Sequence, residues 1–118
     1  MLDYLRHAMA FDPVEQLRAF FVNTRRELIA EEQIARGGPS GVSVEPRQVL
    51  VRALALGATG VILVHNHPSG DPMPSPADRR FTRRLATAGE CLGIQLHDHL
   101  IVARGGTHAI EVTALPAA

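Results

Sequence analysis

A mixed α/β domain of the α+β type, with one mixed β-sheet packed by two long helices plus a short N-terminal helix, is the fold class these 118 residues predict. Three observations lead there. Apolar positions repeat at helical spacing over 46–57 and again over 75–92, strand-length apolar runs occupy the stretches between them, and the two kinds of segment alternate along the chain. The order helix, strand, strand, helix, strand, helix, strand, strand suits a sheet with helices laid against it.

The elements follow in turn. Asp3 to Ala10 reads as a short helix that Asp12-Pro13 ends, so residues 1–12 form an N-terminal helical segment. EQLRAFFVN, Glu15 to Asn23, and LIAEEQIA after it form a hairpin. GGPSG at 37–41 is a loop, and VSV a short extended piece. Val49, Leu50, Ala53 and Leu54 give the helix over 46–57 its apolar face, with Pro46 at its start and Gly57 at its end. TGVILVHNHP is a continuous apolar run, the mark of a strand buried on both faces. The helix from Ser75 to Leu92 carries a stripe of Phe81, Leu85, Ala88 and Leu92, stopped by Gly93. IQLHDHLIVA and THAIEV read as two strands joined at Arg104-Gly105-Gly106. The tail, 114–118, is expected to fray.

Composition narrows the function classes. Hydrophobic residues make up 46% and charged residues 20%, which is ordinary for a globular domain. No apolar run nears the roughly 20 residues of a membrane helix. The start, MLDYLRHAMA, has no secretory pattern, and a cytoplasmic location is the expectation. Twelve basic residues balance twelve acidic ones, so no global basic field draws nucleic acid. Every basic residue is Arg, and with no Lys there is no Schiff-base nucleophile. The single cysteine, Cys91, cannot form an internal disulfide and is expected to be a small core residue.

The chemistry concentrates in HNHPSGDPMPSPAD, residues 65–78, where a buried strand gives way to a helix. Histidines at i and i+2 on a strand point to the same side, so His65 and His67 can face one ion while Asn66 points away. The Pro-rich loop turns the chain back and lets Asp78 add a carboxylate. Two neutral imidazoles and one carboxylate leave an open tetrahedral position on a single zinc ion, the arrangement of a catalytic site. Such an ion acidifies its water from a pKa of about 16 to about 7. Ser75-Pro76-Ala77-Asp78 is also a good helix start, with Ser75 as N-cap and Asp78 in the first turn. A cap explains Asp78 but not the histidines. The full spacing, His-x-His-Pro followed at six residues by Ser-x-x-Asp, arises by chance on the order of once in a hundred thousand domains.

That spacing resembles the JAMM motif of the JAB/MPN metalloprotease superfamily, and the form HNHPSGDPxPSxxD looks like its RadC branch. VEPRQVLVRALALGATGVILVHNHPSG and LGIQLHDHLIVA extend the likeness over about residues 13–105. No counterpart of the family's usual N-terminal helix-hairpin-helix region is read here. The resemblance implies a cytidine-deaminase-like JAB/MPN fold for residues 13–113 and a zinc-dependent hydrolase of the peptidase or isopeptidase type. It implies Glu15 as general base, with Glu31 and Glu32 as the other candidates, and Ser75 as donor to the oxyanion. Asn66 stands where deubiquitinating relatives have Ser or Thr, so their substrate does not transfer.

Strand alternation over IQLHDHLIVA places Asp98 on the apolar face with Leu96 and Leu100, and His97 and His99 on the other. Asp98 and His99 match the family's Asp-His pair and are candidates to support a ligand histidine. Arg79, Arg80, Arg83 and Arg84 form a charged face that could meet an acidic peptide or a nucleic-acid backbone. A peptide or protein substrate is the expected partner, with nucleic acid and a second copy of the chain as alternatives and no membrane. Two rival functions stay open. One is a DNA-associated module for genome maintenance, as the RadC label implies, which binds DNA or hydrolyses phosphodiesters. The other is a noncatalytic scaffold.

Overall fold

The computed structural model describes residues 2–37 and 44–113. Most of the expected GGPSG loop and VSV piece, and the tail 114–118, lie outside the described residues. The elements are α1 (Leu2–Met9), β1 (Gln16–Val22), β2 (Leu28–Arg36), α2 (Pro46–Leu56), β3 (Gly60–Asn66), α3 (Pro76–Cys91), β4 (Gln95–Ala103) and β5 (Gly106–Ala109). Their order is the predicted one. The strands form one mixed sheet in the order β2-β1-β3-β4-β5. β3 and β4 are parallel, with α3 as the connection between them, and the other pairs are antiparallel.

β3 is central and covered on both faces, which is why its sequence is apolar without alternation. On one face Leu17, Ala19, Phe21, Val61, Leu63 and Leu96 meet Val49, Leu50 and Ala53 of α2 and Leu85 and Ala86 of α3. On the other, Met9 closes over Phe20, Val64 and Val102. Each fully buried branched or aromatic side chain contributes about 1.5–3 kcal/mol, so these two layers supply the main driving force. No helix among the described residues is long and apolar enough to cross a membrane.

Four expectations change. Leu54 is exposed, and α2 buries Pro46, Val49, Leu50 and Ala53. The buried face of α3 is Thr82, Leu85, Ala86 and Gly89, while Phe81 and Ala88 are half-buried and Leu92 is exposed. Counting only apolar residues hides this face, because the helix approaches the sheet through small residues and one hydroxyl. A Cβ on Gly89 would lie 2.5 Å from the Ile94 carbonyl oxygen. Cys91, at the end of α3, is exposed and is no core residue.

The largest departure is in β4. Val61 pairs with Leu96, but Ile62 pairs with Asp98, so His97 is an extra residue in the strand. This bulge reverses the alternation beyond it. Asp98 pairs with Ile62 on the α1 face, and His99 pairs with Leu63 on the face that α2 and α3 cover.

Candidate metal centre

His65 is buried near the end of β3, and His67 follows just beyond its last residue. The antiparallel register sets Leu17 of β1 opposite His65. Two residues further along, the same register carries Glu15 alongside His67 on that face. Asp78 comes from the first turn of α3. Its Oδ2 accepts the Ser75 amide at 2.8 Å while Ser75 Oγ accepts the Asp78 amide at 3.0 Å, a reciprocal cap. The cap and the site are therefore not alternatives: the same Oδ2 lies 3.1 Å from His67 Nε2.

Among the described residues, Glu15, His65, His67 and Asp78 form one cluster whose donor atoms lie within 4.8 Å of one another. The two Nε2 atoms are 3.0 Å apart. His65 Nε2 is 3.6 Å from Asp78 Oδ1. Ligands about 2.0–2.2 Å from a tetrahedral ion are separated by roughly 3.3 Å, so these spacings fit a shared divalent cation. Glu15 Oε1 stands farther off, 3.8 Å from His65 Nε2 and 3.9 Å from His67 Nε2. That distance puts its carboxylate at the margin of the cluster.

His67 Nδ1 lies 2.9 Å from the backbone carbonyl of Asp71. A carbonyl only accepts, so Nδ1 carries the proton and in the neutral ring Nε2 offers its lone pair to the cluster. The Asp78 carboxylate, through its hydrogen bond, holds the His67 imidazole above its ordinary pKa. Burial works to raise the Asp78 carboxyl, but the two imidazoles beside it, His65 and His67, outweigh burial and hold that carboxyl far below the usual range.

The loop between His67 and Asp78 is strapped to the β4–β5 turn. Arg104 donates to the carbonyls of Pro68 and Ser69, and the Gly105 amide to the carbonyl of Gly70 at 2.8 Å. Gly105 is required there, since a Cβ on it would lie 2.6 Å from the Gly70 oxygen. Gly70 itself has a φ of 91°, where a side chain is strained.

Beside the cluster is a cavity of about 220 Å³ lined by Leu17, Val44, Ala77 and Phe81 as well as Glu15, His65, Asp78 and His99. A larger cleft of about 750 Å³ opens at the other end of the sheet, around Arg26, Glu90 and His97. It has space but no matching donor cluster among the described residues. His97 belongs to that cleft, where burial and then the Arg26 charge lower its pKa.

The remaining candidates sort by position. Asp98 does not reach the histidines: its Oδ1 accepts the amide of His99 at 2.9 Å, and the bulge turns it to the other face. His99 takes that place, 1% exposed, with Nε2 2.7 Å from His65 Nδ1. Burial, and then the neighbouring His65, push the His99 imidazole well below its ordinary pKa. Glu31 and Glu32 are bound instead to Arg18 and Arg52, each at 2.7 Å. Arg79, Arg80, Arg83 and Arg84 are exposed, and Arg84 lies 3.5 Å from Glu45.

The sequence reading missed Thr82 altogether and missed what Asn66, read as pointing away, holds. Thr82 is buried, and its Oγ1 lies 2.7 Å from His99 Nδ1. Its position four residues after Asp78, on the same helix face, was the available signal. Asn66 is fully buried; its Oδ1 accepts the Gln16 amide at 2.7 Å and its Nδ2 donates to the Val14 carbonyl at 3.0 Å. It therefore grips the backbone on both sides of Glu15.

Fold and cluster together define an α+β domain with a JAMM-like set of metal donors at the end of its central strand. A family model described as the RadC-like JAB domain matches residues 1–114, and the chain belongs to that family. It is similar to a UPF0758 protein of Rhodobacter capsulatus, 51% identical over 105 residues, which are 89% of this chain and 49% of that protein. A UPF0758 protein of Ruegeria pomeroyi is 50% identical over 104 residues, covering 88% of this chain and 46% of its own length. The chain thus spans about half the length of the curated relatives it matches.

Proposed function

We propose that this domain is a zinc-dependent amide hydrolase, a peptidase or isopeptidase. The observation that carries the reading is the single cluster of Glu15, His65, His67 and Asp78, with three donors at ligand spacing and the fourth just outside it. A zinc ion held by His65, His67 and Asp78 would supply an acidified water and polarise a carbonyl oxygen. Glu15, on the edge of the cluster, takes the proton of the attacking water and returns it to the leaving amine. The Ser75 hydroxyl accepts from the Asp78 amide, which leaves its own hydrogen for a developing oxyanion. His99 supports His65 from behind. One ion suits amide hydrolysis better than phosphodiester cleavage by two ions about 3.5–4 Å apart.

Metal analysis of the wild type and His67→Ala, with a peptide panel run on the wild type and His65→Ala, tests this. Zinc near one equivalent in the wild type, lost in His67→Ala, with cleavage abolished by His65→Ala, is the expected result. Equal zinc in wild type and His67→Ala would sink the assignment.

A second reading, a DNA-associated module, draws on the exposed arginines of α3. Salt-dependent DNA binding that disappears in the double variant Arg80→Glu, Arg84→Glu would favour it.

A further inference from the structure

We propose that Thr82 and His99 act as positioning residues that lock His65 in the tautomer with Nδ1 protonated and Nε2 bare towards the metal donors. The direction of the hydrogen bonds carries the inference. Thr82 Oγ1 donates to the Asp78 backbone carbonyl at 2.8 Å, and a hydroxyl has one proton to give. Towards His99 Nδ1, 2.7 Å away, the same oxygen must therefore accept. His99 Nδ1 carries that ring's single proton, which leaves its Nε2 as an acceptor. Across the next 2.7 Å gap the donor is then His65 Nδ1–H, and the His65 lone pair sits on Nε2, where His67 and Asp78 converge.

The rings are built to hold this order. His65 and His99 meet at an interplanar angle of 59° with centroids 4.8 Å apart, and Phe81 packs edge-on against His99 at 6.3 Å. Thr82 and His99 are almost fully enclosed, so water does not compete for either partner. Asp78 enters the site twice: its carboxylate faces the histidines, and its backbone carbonyl orients the chain of bonds that sets one of them. His67 is set separately by the carbonyl of Asp71. Each histidine thus has its lone pair fixed by its own backbone carbonyl.

The consequence for metal affinity rests on the zinc reading, but the tautomer does not, and the experiment separates them. Nitrogen-15 NMR of the histidine rings in metal-free protein is expected to show His65 protonated at Nδ1. In Thr82→Val the acceptor for His99 Nδ1 is gone, the His99 proton moves to Nε2, and His65 is driven to the opposite tautomer. Zinc titration of that variant is expected to show affinity weakened about 10–100-fold, with Thr82→Ser close to wild type. A wild-type His65 protonated at Nε2 instead overturns the proposal, and that spectrum needs no variant to fold. A Thr82→Val protein with unchanged His65 tautomer and zinc affinity overturns it as well. The expected tautomer shift in a protein with no zinc affinity would leave the relay standing and remove the proposed function.

Discussion

Under the proposed function, replacing Asn66 by Ala should separate holding the metal from holding the base. Asn66 is fully buried on the face opposite the histidines, and its amide makes bonds of 2.7 and 3.0 Å to Gln16 and Val14, with a weaker one of 3.4 Å to the Asp12 carbonyl. Ala leaves the buried Gln16 amide without this acceptor, at about 1–3 kcal/mol, and the half-buried Val14 carbonyl without this donor, at about 1 kcal/mol. The sum, about 2–4 kcal/mol, is a large part of the roughly 5–15 kcal/mol of a small domain but leaves it folded. The same two groups flank Glu15, so its carboxylate loses its fixed distance from the imidazoles. A misplaced general base forfeits much of a factor of about 10²–10⁴ in rate. Urea unfolding, zinc content and peptide turnover should be measured on one preparation. The expected pattern is a lower unfolding free energy, one retained zinc and turnover down at least tenfold. Stability within about 0.5 kcal/mol of wild type, or zinc lost together with turnover, would refute the reasoning.

Glu15→Gln should keep its zinc and lose hydrolysis by about 10²–10⁴-fold, read by metal analysis beside turnover. Gly105→Ala should lower stability by about 1–3 kcal/mol, because its Cβ meets the Gly70 carbonyl; thermal unfolding should show a fall of several degrees, and an unchanged Tm would mean the turn is free to move. The Asp12 carboxyl is held below its ordinary value of 3.8 by the Val14 amide, then by Arg36 and Gln16. A lowered folded pKa adds stability that is present above the unfolded value and lost as pH falls through the folded one. The stability gap between wild type and Asp12→Asn should therefore be constant near neutrality and close on acidification below pH about 4; a gap independent of pH would count against the assignment.

Local chemistry was legible in the sequence and distant pairing was not. That His65 and His67 share a side follows from strand geometry, and that Asp78 comes back towards them follows from a proline-rich turn into a capped helix. Both are decided within fourteen residues of chain, 65–78. The core face of α3 was misread because Thr82 and Gly89 are buried for a hydroxyl bond and a close backbone approach, which hydrophobic counting does not register. The partners of Asn66 lie 50 and 52 residues away, so only the β1–β3 register shows that it grips the ends of Glu15. The bulge at His97 carries no glycine or turn signal of its own. The His97 ring lies over Gly60, where a Cβ would strike it, a fact that lies in another strand.

That one extra residue settles an electrostatic balance. Had β4 paired without it, the alternation would bring Asp98 in place of His99 to the face of His65, and a third carboxylate would stand near Asp78 and Glu15. With a divalent cation present, the two existing carboxylates leave the group neutral, whereas three would leave it with an excess negative charge in a partly enclosed place, where unbalanced charge is costly. Skipping a single position in the ladder substitutes an uncharged ring for an anion. The charge of the centre is thus decided by strand register as much as by the four residues of the cluster.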